Sequence, residues 1–163
     1  IALLTFHFQV AGQTNIQLIL TTGKQIDKVD AFDLSQKVIY SSSYKDTLSF
    51  QFKKNSIDCY NIRYHEKGKM YRQQIWLDTG DIVIKSHLAG DDLIIDTVIN
   101  SPIYYKATAF YKSYSDILKT NDTIEINNFL LNAYEENLGN PFSYAIGQNF
   151  LLRNQNSKFQ SVR

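Results

Sequence analysis

The spacing of apolar residues changes period once along this chain, and that change limits the fold more than any other feature. From residue 15 to about residue 99 apolar and polar residues alternate one by one. From Ser101-Pro102 onward the apolar residues recur at three- and four-residue intervals. Side chains alternate across a pleated strand but return to one face of a helix every 3.6 residues. The first stretch therefore reads as strands and the second as helices.

In 15–21, Ile16, Leu18 and Leu20 alternate, and Thr22-Gly23 follows as a turn. Residues 26–34 alternate again, with Val29, Ala31 and Asp33 to one side, and Val38-Ile39-Tyr40 is short and apolar. Leu48, Phe50 and Phe52 line one face of 47–53. In 57–64, Tyr60, Ile62 and Tyr64 share a face opposite Ile57, Cys59, Asn61 and Arg63. Lys67-Gly68-Lys69 is a polar turn before a strand over 70–78. Thr79-Gly80 turns the chain into Ile82 and Ile84, and Leu93-Ile94-Ile95 lies in a last strand after Gly90-Asp91-Asp92. About eight short strands with frequent turns predict an antiparallel β-sandwich. The 11 Tyr and 10 Phe suit pleated, half-buried surfaces.

Ser101 is a helix-capping residue type, and Pro102 suits a first turn because the N–H it lacks would be unpaired there. Ile103, Ala107, Phe110, Tyr114 and Ile117 then form one stripe. Asp122 with Glu125 three residues on is a carboxylate form of the capping box, followed by the stripe Ile126, Phe129, Leu130, Ala133 and Tyr134. Gly139 ends that helix, and Asn140-Pro141 starts a third with Phe142, Ala145 and Ile146 apolar. The expected fold is α+β: an antiparallel sandwich over 15–99, then about three helices over 100–163. Residues 1–14 read equally as the remnant of a secretory signal peptide, with Val10-Ala11-Gly12 as a small-residue cleavage site, or as a first strand.

Charge and cysteine content narrow the chemistry. Seventeen Lys and Arg balance 16 Asp and Glu, which leaves no basic excess to neutralise nucleic-acid phosphates. Nothing after residue 14 approaches the roughly 20 apolar residues of a membrane span. Cys59 is the single cysteine, so the chain has no internal disulfide and no Cys-x-x-Cys pair. His7, His65 and His87 are too scattered for a metal-ligand spacing. No cofactor loop, metal site or catalytic set is expected. Asp78-Thr79-Gly80 matches the short motif of dimeric aspartic proteases, where two aspartates share a proton. Asp81 follows where a small residue belongs, and Asp and Gly are favoured turn residues, so a turn is the better account. Ser86-His87 with Asp91 or Asp92 is not read as a triad, because adjacent strand residues point to opposite faces. Gly90-Asp91-Asp92 lacks the spaced carboxylates of a calcium loop. Tyr60, Tyr64 and Trp76 are the candidates for an aromatic binding face, against the alternative that they pack the sandwich.

The series Ile75-Trp76-Leu77-Asp78-Thr79-Gly80-Asp81-Ile82-Val83-Ile84, then Asp96-Thr97-Val98, Ser101-Pro102, Glu136-Asn137 and Asn140-Pro141-Phe142-Ser143 carries a family resemblance. Over most of 15–157 it resembles the amino-terminal accessory domain that precedes the thioredoxin-like domain in TlpA/ResA-type thiol-disulfide oxidoreductases of Gram-negative envelopes. The resemblance implies a sandwich followed by helices, a periplasmic or envelope location, and redox activity in a following domain outside these residues. No redox residue carries over, since Cys59 matches no position of the family's Cys-x-x-Cys. The expectation is a non-catalytic domain that positions, oligomerises or docks protein partners for a thioredoxin-like domain. The alternative is a free-standing secreted module that binds glycan or peptide through an aromatic face.

Overall fold

The computed structural model describes residues 13–45, 47–53 and 56–155. The two readings of residues 1–14 lie outside these, except that Gln13 and Thr14 open the first strand. The strands are β1 (Gln13–Thr21), β2 (Lys28–Phe32), β3 (Val38–Ser43), β4 (Thr47–Lys53), β5 (Asp58–Glu66), β6 (Lys69–Leu77), β7 (Asp81–Ala89) and β8 (Asp92–Ile99). The helices are α1 (Pro102–Leu118), α2 (Thr123–Glu136) and α3 (Phe142–Arg153). The α+β class and the strand-then-helix order are as the sequence predicts.

The strands form two four-stranded sheets, ordered β4-β1-β7-β8 and β3-β2-β5-β6. Pairing is antiparallel with one departure from the expected pattern: β1 and β7 run parallel, with Ile16 opposite Ile82 and Leu18 opposite Ile84. A parallel pair needs a long crossover, and here β2 to β6 supply it. The chain crosses to the second sheet for β2 and β3, comes back for β4, crosses again for β5 and β6, and re-enters through the Asp78-Thr79-Gly80 turn, placing β7 beside β1. The Asn15 amide closes that return by donating to the Gly80 carbonyl at 2.9 Å. Gly80 has φ +106°, a conformation that side-chain-bearing residues rarely adopt.

Alternation assembles the inter-sheet core as expected. Ile16, Leu18, Leu48, Phe50, Ile82 and Ile84 face Val29, Ala31, Tyr60, Ile62, Tyr64 and Ile75. The second sheet departs from simple alternation where β5 and β6 pair. Asp58-Cys59-Tyr60 and Ile75-Trp76-Leu77 are continuously buried, so both faces of the sheet are covered there. The inner residues Tyr60 and Ile75 pair across the strands, as do the outer residues Cys59 and Trp76.

The outer face of that hairpin is covered by the helices. Cys59 and Trp76 join Ile103, Ala107 and Phe110 of α1, Ile126, Leu130 and Ala133 of α2, and Phe142 and Ile146 of α3 in a second core. Phe142 sits edge-on to both Trp76 and Phe110, with ring centroids 5.1 and 5.5 Å away. Burying a side chain such as Phe142 contributes about 1.5–3 kcal/mol, which amphipathic helices of this length need because they are marginal alone.

Each helix start has its own cap. Ser101 is at the N-cap of α1 but makes no hydrogen bond to the first turn with its side chain. Asp78 does so instead, from the turn after β6. Its Oδ2 accepts from the Ile103 amide at 2.9 Å and from the Ser101 hydroxyl at 3.1 Å, and the Ser101 Oγ accepts from the Asp78 amide at 3.0 Å. Asp122 caps α2 from within the sequence, accepting from the Ile124 and Glu125 amides at 2.9 and 3.0 Å. Asn140 accepts from the Phe142 amide at 2.8 Å, one residue ahead of the proline.

Replacing Asp78 by Ala should therefore destabilise the chain by about 1–2 kcal/mol in urea unfolding, the usual loss for a helix cap. Asp78→Asn keeps an acceptor oxygen and should lose less than half as much. Equal stability of wild type and Asp78→Ala would show that the bridge between the β6–β7 turn and α1 contributes nothing.

Candidate functional site

Among the described residues β6 is an edge strand of its sheet, paired with β5. Beside it runs a cleft of about 230 Å³ lined by Gln73, Gln74, Ile75 and Trp76 of β6. Four consecutive strand residues point alternately to opposite faces, so a wall made from all four is the strand's edge. The opposite wall is Tyr104, Ala107, Thr108 and Tyr111 of α1, whose spacing of three, four and seven residues is one helix face.

The polar groups here have partners within the fold. Thr108 donates its hydroxyl to the Tyr104 carbonyl at 2.8 Å, and the Gln73 side-chain amide donates to the Gln74 carbonyl at 3.3 Å. Gln74 reaches inward, its Nε2 donating to Cys59 Sγ at 3.1 Å. Trp76 is 5 % exposed, and its buried indole N–H lies against the Tyr111 hydroxyl. The Tyr111 phenol is pushed up by burial, opposed by its hydrogen bond with the Trp76 indole and reinforced by Cys59.

Cys59 lies beneath this wall with none of its surface exposed. Burial, the largest cause, pushes its thiol up to about 11, helped by Asp58 and opposed by the Gln74 and Ile75 N–H groups. Attack on a disulfide needs a thiolate within reach of it, and Cys59 is poor in both respects.

The structure does not bring the three aromatic candidates together. Tyr60 and Tyr64 point from β5 into the inter-sheet core, each 2 % exposed, whereas Trp76 faces the helices. Strand alternation is the reason: Trp76 pairs with Cys59, on the face opposite both tyrosines. Burial pushes the Tyr60 phenol upward, and it raises that of Tyr64 to about 12.

Other groups weighed from the sequence are engaged elsewhere. Ser86 points inward and donates to the Ile19 carbonyl at 3.4 Å, while His87 turns outward, its Nδ1 2.7 Å from Asp96 Oδ1. Asp91 pairs with Lys24 and Lys69, at 3.4 and 3.2 Å, rather than meeting other carboxylates. Among the described residues no three of His, Cys, Asp and Glu converge on one point. No helix among them is long and apolar enough to cross a membrane.

Asp30 is a buried charge that the sequence reading missed. Its carboxylate is 2.9 Å from both Lys28 Nζ and His65 Nε2 on the outer face of the second sheet. Burial raises its pKa, but the Ser41 hydrogen bond, Lys28 and His65 together outweigh that and hold it low. His65, next to the turn between β5 and β6, is this aspartate's partner. The carboxylate stands between Ser41 and the imidazole, the wrong order for histidine to take a serine proton. A signal existed in Lys28-x-Asp30, which places opposite charges on one strand face.

At pH 8 a thiol with a pKa near 11 is ionised in about one molecule in a thousand. Native Cys59 should react with a disulfide reagent at least ~100-fold more slowly than the urea-unfolded chain. Because the folded-state value lies above the unfolded one, the thiol's stabilising contribution is complete below about pH 9 and disappears as pH rises toward 11. Cys59→Ala should flatten that part of the stability profile. Equal labelling of native and unfolded protein would contradict the buried assignment.

No family model and no curated protein matches this chain. Among solved structures, the NMR structure of a protein from Eubacterium rectale is similar over 53 % of this chain and 90 % of that one, at 15 % identity and a TM-score of 0.42. A likeness at that level assigns neither a family nor a function to the chain.

Proposed function

We propose that this chain is a non-catalytic accessory domain of an envelope thiol-disulfide oxidoreductase of the TlpA/ResA type, docking or positioning protein partners for a thioredoxin-like domain. The observation that carries this reading is the state of Cys59: one thiol, buried and hard to ionise, cannot by itself run reversible dithiol exchange. The sandwich followed by helices agrees with the architecture that the resemblance implies. The second reading, a free-standing binding module, draws support from the β6–α1 cleft. It favours a peptide over a glycan, because Tyr60 and Tyr64 offer no exposed ring and Trp76 is packed against Phe142.

Two measurements test the proposal. The coding sequence beyond Arg163 should specify a Cys-x-x-Cys within a βαβ pattern, and a continuation without one would sink the oxidoreductase reading. In insulin reduction this chain alone should stay at background. The protein carrying both domains should have a lower KM for a protein disulfide than its thioredoxin-like domain alone, with kcat unchanged. Turnover by this chain that is lost in Cys59→Ser would overturn the non-catalytic assignment.

A further inference from the structure

Ile124 and Leu131 stand seven residues apart on α2, and Leu138 continues the line in the turn that follows. Tyr144 and Leu151 repeat that spacing on α3. Residues seven apart in a helix return to within about 20° of one line, so each set is a stripe. All five are exposed, from 43 % at Leu131 to 75 % at Tyr144. The two helices run antiparallel. The side-chain amides of Asn127 and Asn154 exchange hydrogen bonds at 3.1 Å, and the Tyr134 ring lies 3.4 Å from where a side chain at Gly147 would begin. That register sets Leu131 level with Leu151 and Leu138 level with Tyr144. The two stripes therefore make one face, with the partly exposed Tyr134 between them.

The size and pattern of this face constrain what covers it. Its six side chains leave on the order of 700 Å² open, more than the roughly 300–600 Å² of the largest apolar patch on a typical monomer. It is close to the roughly 800 Å² that each partner gives to a standard interface. A seven-residue repeat on both helices suits other helices crossing at a shallow angle, whose side chains enter the gaps between successive layers. No charge lies among the six, and Glu135, between Leu131 and Leu138 along α2, is the acidic residue at their border.

We infer that the α2–α3 face pairs with the same face of a second copy of this chain, about a two-fold axis at Leu131. Ile124 of each copy then meets Leu138 of the other, and the two hairpins form a four-helix layer. A two-fold interface uses one patch twice, and a stripe with Ile124 and Leu138 equally spaced about Leu131 matches itself when turned end for end. The head-to-tail order sets each Glu135 beside Asn128 of the other copy, an amide that can donate to the carboxylate. The parallel order would oppose the two Glu135 carboxylates. The inference goes beyond the oxidoreductase reading and does not depend on it.

Sedimentation equilibrium of the whole chain from ~1 μM to ~1 mM should show a reversible monomer–dimer equilibrium with a Kd at or below ~100 μM. Leu131→Glu puts a carboxylate on the axis from both sides and should weaken the dimer at least ~30-fold. Its circular dichroism should be unchanged, because Leu131 is already exposed in the single chain. Asn128→Glu should weaken the dimer and Asn128→Lys tighten it, each by about 3-fold, through Glu135 of the other copy. Met70→Glu, at a 47 % exposed apolar position on β6, is the control and should leave the Kd unchanged. A chain that stays monomeric would overturn the inference, whether its own ends or a following domain then covers the face. Growth past a dimer, equal dissociation by Met70→Glu and Leu131→Glu, or one Kd for both Asn128 variants would overturn it as well. These outcomes leave untouched the downstream coding sequence and insulin reduction, which decide the oxidoreductase reading.

Discussion

Where Asp58–Tyr60 pairs with Ile75–Leu77, strands β5 and β6 are buried on both faces, and the helical layer and the sandwich meet at that double burial. Inward, Tyr60 and Ile75 close the sandwich against the first sheet. Outward, Cys59 and Trp76 form the floor on which three helices assemble. The helices have little independent stability at their lengths, so the apolar pair Cys59–Trp76 with Phe142 and Phe110 makes them part of one folding unit. Losing that floor would detach the helical layer while leaving the inter-sheet core intact, because the two clusters have no buried residue in common.

Asp78 performs a related function at the seam. Its backbone belongs to the turn that returns the chain from one sheet to the other, and its carboxylate accepts from the start of α1. One residue thereby fixes the sheet crossing, the parallel entry of β7 beside β1 and the direction in which α1 leaves. That direction in turn places Tyr104, Thr108 and Tyr111 along the edge of β6, so the cleft is a consequence of the cap. The Asp78 carboxylate is engaged at the start of α1, in keeping with a turn-and-cap role for Asp78-Thr79-Gly80.

The candidate site is a cleft between the edge of β6 and one face of α1. It has a strand edge and a helix face, and its nearest nucleophile lies buried beneath the wall, its thiol pushed up by burial. Sequence reasoning reached Trp76 because aromatic residues are over-represented in the chain. It grouped Trp76 with Tyr60 and Tyr64 because all three are large, half-polar rings. Strand register separates them: Tyr60 is one pleat away from Cys59, and Trp76 is the cross-strand partner of Cys59.

What the sequence determined by itself was set by local physics. Period-two alternation specified eight strands, the return to three- and four-residue spacing specified three helices, and Asp122 marked the start of α2 because its cap is made by amides two and three residues away. What only the tertiary structure decided are the relations between residues distant along the chain. These are the parallel match of β1 with β7, the cap that Asp78 provides to α1, the His65 and Lys28 partners of Asp30, and the opening of the β6 edge toward Tyr111. Each is a contact between segments whose separation leaves no periodic trace, since pairing across sheets is chosen by the burial it completes and not by any neighbouring residue.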